Sequence, residues 1–271
     1  MARLLATDVD GTLLNTSHEM SDRTRTAFAR ARRAGMEVIA VSGRQPYSIG
    51  VIVQHTALDG DAIGSNGAVA MNLQTRQVLF EELMDLPAQQ ELVRRMLEVF
   101  PGLNLVSVRD AGNSYVAEHG YSGIEDPGAK VARWPVRHWR GTREEVLAER
   151  SLKLVLRDDG ILPEELLTAA LRLDVPGCHP TISGAPFLEV GRAGVTKATA
   201  LSRYCEAKGI DRRDVVAFGD NINDLEMLEW AGMGVAMGNA GPDVRHAADH
   251  VTLTNDEEGV ALVIEELLAQ R

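Results

Sequence analysis

The chain has two cysteines in 271 residues, Cys178 and Cys205, and they stand far apart with no metal-ligand spacing. That excludes a disulfide scaffold and a thiolate zinc site, and it leaves two reduced structural thiols. Positive charge is also short: 28 Lys and Arg against 39 Asp and Glu give a formal net charge of −11. Nucleic acid and an anionic membrane are poor main partners for such a surface. There is no membrane-length apolar run, and Met1-Ala2-Arg3-Leu4 opens without a signal-peptide apolar region, so a cytoplasmic location is expected. Internal repeats and low-complexity segments are missing. So is a Gly-x-Gly-x-x-Gly after the first strand, which argues against dinucleotide binding.

What is present begins at Asp8-Val9-Asp10-Gly11-Thr12-Leu13-Leu14. Leu4, Leu5 and Ala6 lead in as a buried strand. Alternation along it points Asp8 and Asp10 the same way and turns Val9 inward. Two carboxylates about 4 Å apart repel by roughly 1 kcal/mol in water and about 4 kcal/mol at a protein-surface dielectric. A divalent cation or a shared proton is therefore expected between them. Gly11 permits a sharp turn, which Thr12 is expected to fix by a local hydrogen bond. A bare Asp-x-Asp-Gly also fits a polar turn. An EF-hand loop fits less well, because it needs Gly at its sixth position and here Gly comes fourth, after a strand.

Downstream, strands and helices alternate. Ser21 caps a helix to about Ala34, Met36–Val41 is a strand ending in Ser42-Gly43-Arg44, and a helix starts near Pro46. Ala62–Ser65 is a third strand, and residues 68–82 form a hairpin turning at 72–76. This is the rhythm of a parallel sheet with helices on its faces. From 83 to 188 the pattern changes to short strands with interspersed helices. One of these helices opens at Pro87 and places Leu92, Met96 and Val99 on one face; residues 121–141 look irregular. The first rhythm then resumes, with a helix from Thr196 to about Lys208. A strand at 215–218 follows, running into Gly219-Asp220-Asn221-Ile222-Asn223-Asp224. The reading is an α/β fold: residues 1–82 and 189–271 form one domain, and 83–188 are an α+β insert.

The acidic pair, Ser42-Gly43-Arg44, Lys197 and the 219–224 run fall where an open α/β sheet binds ligands, three of the four at strand carboxyl ends. Singly, Ser42 reads as a helix cap, Lys197 as a solvated lysine and Asp220–Asp224 as a polar turn. Together, in this order, the segments resemble the haloacid dehalogenase-like (HAD) phosphatases of the Cof type. Residues 8–14 are similar to that family's first motif. Ser42-Gly43-Arg44 is similar to the second, in which Thr is commoner than Ser. Gly194-Val195-Thr196-Lys197 resembles the third and Gly219–Asp224 the fourth. Ser65-Asn66-Gly67-Ala68 and residues 234–240 also resemble Cof-type segments.

The resemblance covers nearly the whole chain and implies a Rossmann-like core, an α+β cap at 83–188, Mg²⁺ dependence and small phosphate monoesters such as sugar phosphates. It implies Asp8 as nucleophile, forming an aspartyl-phosphate, and Asp10 as general acid and base. Asp8, the Asp10 carbonyl and Asp220 are the implied metal ligands. Ser42, Lys197, Asn223 and the backbone N–H groups of Val9 and Gly43 are the implied phosphate contacts. Asp224 would support Lys197 or the metal. Arg44 and Asn66 are candidates for contact with the rest of the substrate. Some relatives carry a second carboxylate directly after the metal-binding aspartate; here that place is the neutral Asn221. A phosphosugar mutase or a dedicated sugar-phosphate phosphatase fits the same motifs. A phosphate-sensing receiver module fits poorly, being under half this length and without an insert.

Two other features stand out in the sequence. Arg133, Trp134, Arg137, His138, Trp139, Arg140 and Arg143 make a basic, aromatic patch that fits a substrate contact less well than a surface segment packed on the insert's sheet. His246 and His250 are four residues apart but lack a third ligand, which favours solvated or structural histidines.

Overall fold

The computed structural model describes residues 2–122 and 136–270. Arg133 and Trp134 of the basic patch lie outside the described residues. The chain divides into two compact units, one of Met1–Leu79 with Thr196–Arg271 and the other of Phe80–Val195. No helix among the described residues is long and apolar enough to cross a membrane.

Strands in chain order are β1 (Leu4–Thr7), β2 (Glu37–Val41), β3 (Asp61–Gly64), β4 (Val69–Asn72), β5 (Val78–Glu81), β6 (Asn104–Arg109), β7 (Ser114–Glu118), β8 (Arg137–Gly141), β9 (Lys153–Arg157), β10 (Cys178–Thr181), β11 (Leu188–Arg192), β12 (Val215–Gly219), β13 (Met233–Ala236) and β14 (His250–Val251). Among the described residues, eight form one sheet in the order β14-β13-β12-β1-β2-β3-β4-β5. It is parallel from β14 to β3, and β4 returns antiparallel. All four residues of β1 are buried, as a strand covered on both faces requires. The chain leaves β1 toward β2 on one side and comes back to β12 on the other. That reversal opens a crevice beyond the carboxyl end of β1, and it decides where the site lies.

The helices of this unit begin and end for local reasons. Ser21 accepts the Thr24 N–H and starts the Asp22–Arg33 helix. Thr196 caps the Lys197–Lys208 helix by a reciprocal pair of bonds with Thr199, and Gly209 ends it in the left-handed region at φ +63°. The far end of that helix is tied to β3: Tyr204 Oη donates to Asp61 at 3.0 Å, and Lys208 Nζ lies 3.3 Å from the same carboxylate.

In the inserted unit, six strands run β10-β11-β9-β6-β7-β8. Alternation splits its faces. Leu105, Val116, Leu154, Leu156, Leu188 and Val190 pack with Leu92, Val93, Met96, Leu166 and Ala170 of the Leu86–Val99 and Pro163–Leu173 helices. Val99 departs from the expected stripe: it is 52% exposed, while Leu97 and Phe100 pack against this core instead. Part of the stretch read as irregular is β8, an edge strand parallel to β7. Its Arg-His-Trp-Arg sequence has little β signal, but charge suits an exposed sheet edge. His138 stacks on Tyr115 at 4.8 Å, Arg140 donates to the Glu118, His119 and Tyr121 carbonyls, and Arg143 donates to Glu118 and the Leu103 carbonyl. His246 and His250 do not share a helix: Pro242–Ala247 ends first, and His250 begins β14.

Candidate active site

The turn after β1 brings the first carboxylates to the crevice. Asp8 N–H donates to the Phe218 carbonyl of β12 at 2.9 Å, so the end of β1 is held by its neighbour. The Leu14 N–H closes the turn onto the Val9 carbonyl at 2.9 Å. Gly11 stands at φ +75°, and a Cβ there would come within 2.4 Å of Asp220 Oδ2. The turn thus needs glycine both for its dihedral and for the carboxylate beside it. The local hydrogen bond expected of Thr12 is replaced by a long-range one. Thr12 Oγ1 donates to Asp220 Oδ1 at 2.8 Å, across 208 residues, because the loop after β12 lies alongside.

Lys197 enters from the first turn of its helix with its side chain fully buried. Its Nζ lies 2.7 Å from Asp8 Oδ1 and 2.6 Å from Asp224 Oδ1. Asp224 Oδ2 accepts the backbone N–H groups of Asp220 and Asn221, both at 3.1 Å. Asn221 turns its own Oδ1 to the Ile222 N–H at 2.8 Å. One ammonium therefore serves a group of carboxylates. Oxygen atoms of Asp8, Asp220 and Asp224 lie within 4.8 Å of one another. Burial raises the Asp8 carboxyl well above the ordinary carboxylate range; Lys197 opposes the shift, and Asp224 and Asp220 add to it. Burial, then Asp224, pushes Asp220 up to about 6 against the Thr12 hydrogen bond. Burial alone would lower Lys197, but Asp224 and Asp8 outweigh it and raise the ammonium above its usual value. Crowded carboxylates, offering oxygen donors only, suit a hard divalent cation. The cluster supports magnesium dependence.

The second-motif loop lies after β2. The Ser42 N–H donates to the Ile63 carbonyl, and its Oγ accepts the Arg44 N–H at 3.1 Å. Arg44 grips Asp10 with two bonds of 2.6 Å. The Ser65-Asn66-Gly67 turn braces this loop: Ser65 N–H donates to the Arg44 carbonyl and Asn66 N–H to the Ser42 carbonyl. Ser65, Asn66 and Gly67 stand at φ +52°, +56° and +104°, a run of left-handed backbone that costs energy at the two non-glycine positions. A Cβ at Gly67 would meet the Thr196 carbonyl at 2.2 Å, so this turn also packs on the cap of the Lys197 helix. Asn223 Nδ2 donates to Asn66 Oδ1 at 3.0 Å, joining two buried residues 157 positions apart.

Two contributors escaped the sequence reading. Asn239 Nδ2 donates to the Gly11 carbonyl and Asn255 Nδ2 to the Leu14 carbonyl, both at 2.9 Å, while Asn255 N–H donates to Asn239 Oδ1. Together they staple the turn after β1 to the loops after β13 and β14. Asn239 lies in the 234–240 segment already noted as family-like; Asn255 carries no comparable signal.

Residues 5–264 match the haloacid dehalogenase-like hydrolase family. The chain is 32% identical over 267 residues to the 5-amino-6-(5-phospho-D-ribitylamino)uracil phosphatase YcsE of Bacillus subtilis, covering 97% of this chain and 94% of that protein. It is also 32% identical to the pyridoxal phosphate phosphatase YbhA of Escherichia coli, over 97% of both chains. A solved haloacid dehalogenase-like hydrolase from B. subtilis superimposes with a TM-score of 0.82 at 26% identity, over 98% of this chain and 99% of that one.

Proposed function

The chain belongs to the haloacid dehalogenase-like hydrolase family, as a phosphatase of aspartyl-phosphate chemistry, and from that premise we propose the roles of its residues and its class of substrate. The observation that carries the reading is the buried Lys197 ammonium between Asp8 and Asp224, with Asp220 beside them at the switch point of the sheet.

Asp8 is the nucleophile. Its carboxylate oxygen bonds to phosphorus in line as the ester oxygen departs, and Asp10 gives that oxygen a proton. Water then attacks the aspartyl-phosphate, Asp10 takes its proton, and inorganic phosphate leaves Asp8 free. Asp8, the Asp10 carbonyl and Asp220 would hold the magnesium; Asp224 is already committed to Lys197 and to two backbone N–H groups. When bound, the metal supplies the positive charge that lets a carboxylate approach a phosphate dianion. Lys197, Ser42, Asn223 and the N–H groups of Val9 and Gly43 gather the phosphoryl oxygens, where transition-state charge resides. The Ser42 hydroxyl accepts from Arg44 N–H, which leaves its own proton to donate.

The substrate is a small phosphorylated metabolite. Two relatives are named for such molecules, and sugar phosphates belong to the same class. A phosphate-release panel of sugar phosphates, pyridoxal phosphate and flavin mononucleotide, run with Mg²⁺ and with chelator, tests this. Net phosphate release that the chelator abolishes is expected. Retention of phosphate on a bisphosphorylated product would point to a mutase, and no release from any monoester would end the reading.

A further inference from the structure

Arg44 meets Asp10 fork to fork. Nε donates to Oδ2 and Nη2 to Oδ1, each at 2.6 Å, and Nη1 donates to Ser48 Oγ at 3.1 Å. Two parallel bonds fix the plane of a carboxylate as well as its place, which a lysine ammonium does not do. The guanidinium hangs from a braced support. Its backbone carbonyl accepts the Ser65 N–H, its N–H meets Ser42 Oγ, and Ser48 belongs to the Pro46–Val53 helix. Asp10 is less constrained by its own surroundings: it sits in the turn between Val9 and Gly11, with a side chain 39% exposed. Without a partner such a carboxylate exchanges rotamers and is seldom aligned. Each of its oxygens accepts one bond from Arg44 and keeps a second lone pair for proton transfer.

We propose that Arg44 is the positioning residue of Asp10, holding its carboxylate in the orientation from which a proton passes to the leaving oxygen and is later taken from water. The inference rests on Asp10 being the acid–base group. It differs from a role for Arg44 in contacting the leaving group, which would show as substrate affinity that varies with the substrate.

The test is a double-mutant cycle of Arg44→Ala and Asp10→Asn, read as kcat and KM on p-nitrophenyl phosphate and on one alkyl phosphate. Arg44→Ala is expected to lower kcat about 10- to 100-fold on both, the loss typical of a misplaced catalytic group. KM should shift by less than about threefold, and in the Asp10→Asn background Arg44→Ala should cost less than about twofold more. Arg44→Lys should not recover the rate, since it keeps the charge and loses the fork. Added guanidinium ion should recover part of it in Arg44→Ala alone, and not when Asp10→Asn is also present. Should Arg44→Ala fold poorly, Ser48→Ala removes only the Nη1 anchor and should lower kcat less, again only when Asp10 is intact. A rise in KM at constant kcat, or a full multiplicative loss in the Asp10→Asn background, would overturn the inference while leaving Asp10 its role. Near-normal turnover by Asp10→Asn alone would remove the acid–base assignment and this inference with it.

Discussion

Each unit of this protein buries a lysine against a carboxylate, and the two sites differ in balance. In the inserted unit, the Lys153 ammonium meets the Glu189 carboxylate, both buried on neighbouring strands of the cap sheet. In the core, Lys197 meets both Asp8 and Asp224 with Asp220 close by, one ammonium with three carboxylates. A matched buried pair roughly offsets its own desolvation and serves the fold. An excess of buried anions does not: burial first, and the neighbouring carboxylates after it, raise Asp8 and Asp220. The core gives up stability to gather anions that a cation would balance. Surplus charge, more than buried charge as such, marks the functional site.

The comparison can be tested hardest at Asp8, the proposed nucleophile. Asp8→Asn should lower steady-state turnover by at least about 1,000-fold and abolish the phosphoenzyme, read by acid quench. Appreciable phosphatase activity in a pure sample would contradict the assignment. Lys197→Ala should abolish most activity and, by stranding buried anions, destabilise the metal-free protein by about 3–5 kcal/mol in urea titration. In the cap, Lys153→Met should cost a similar amount by stranding Glu189. The double variant with Glu189→Gln should recover most of that loss, because the stranded carboxylate is gone. If the core double variant Lys197→Met, Asp224→Asn were equally well tolerated in both stability and turnover, the contrast between the sites would be lost.

Smaller effects sharpen the same contrast. Thr12→Val removes the hydroxyl on Asp220 and should weaken Mg²⁺ activation about tenfold, as loss of a ligand's supporting hydrogen bond does elsewhere. The pH dependence follows from the sign of the Asp220 shift. Between an ordinary value of about 4 and its raised value of about 6, native Asp220 holds a proton that the unfolded chain has lost. Stability of the metal-free protein should therefore fall as pH rises through that window, and Asp220→Asn should flatten the slope. Saturating Mg²⁺ should restore stability above about pH 6 by binding only the native site. Thermal melts across pH 4–7, with and without metal, measure this.

Much of the architecture was legible because its causes are local. Ser21 and Thr196 cap the helices that follow them, and Gly209 ends one, since each acts on backbone groups within a turn. The apolar run before Asp8 is continuous because β1 is buried on both faces. Where local signals were weak, the reading failed for a physical reason. Arg137–Gly141 is a strand because β7 offers it an edge to pair with, despite its own charged sequence. Val99 lies at the end of its helix, exposed, where Phe100 and Leu97 close the cap core instead.

By itself, then, the sequence determined most of the strands and helices, and which short motifs carry carboxylate, hydroxyl and ammonium groups, because propensity, capping and periodicity act over a few residues. Only the tertiary structure decided the partners: Thr12 with Asp220, Arg44 with Asp10, Asn66 with Asn223, and Asn239 and Asn255 with the turn after β1. Those pairings join segments 34 to 241 residues apart. They form because parallel strands deliver their carboxyl ends to one side of the sheet, where the reversal of strand order at β1 leaves room for the loops to meet.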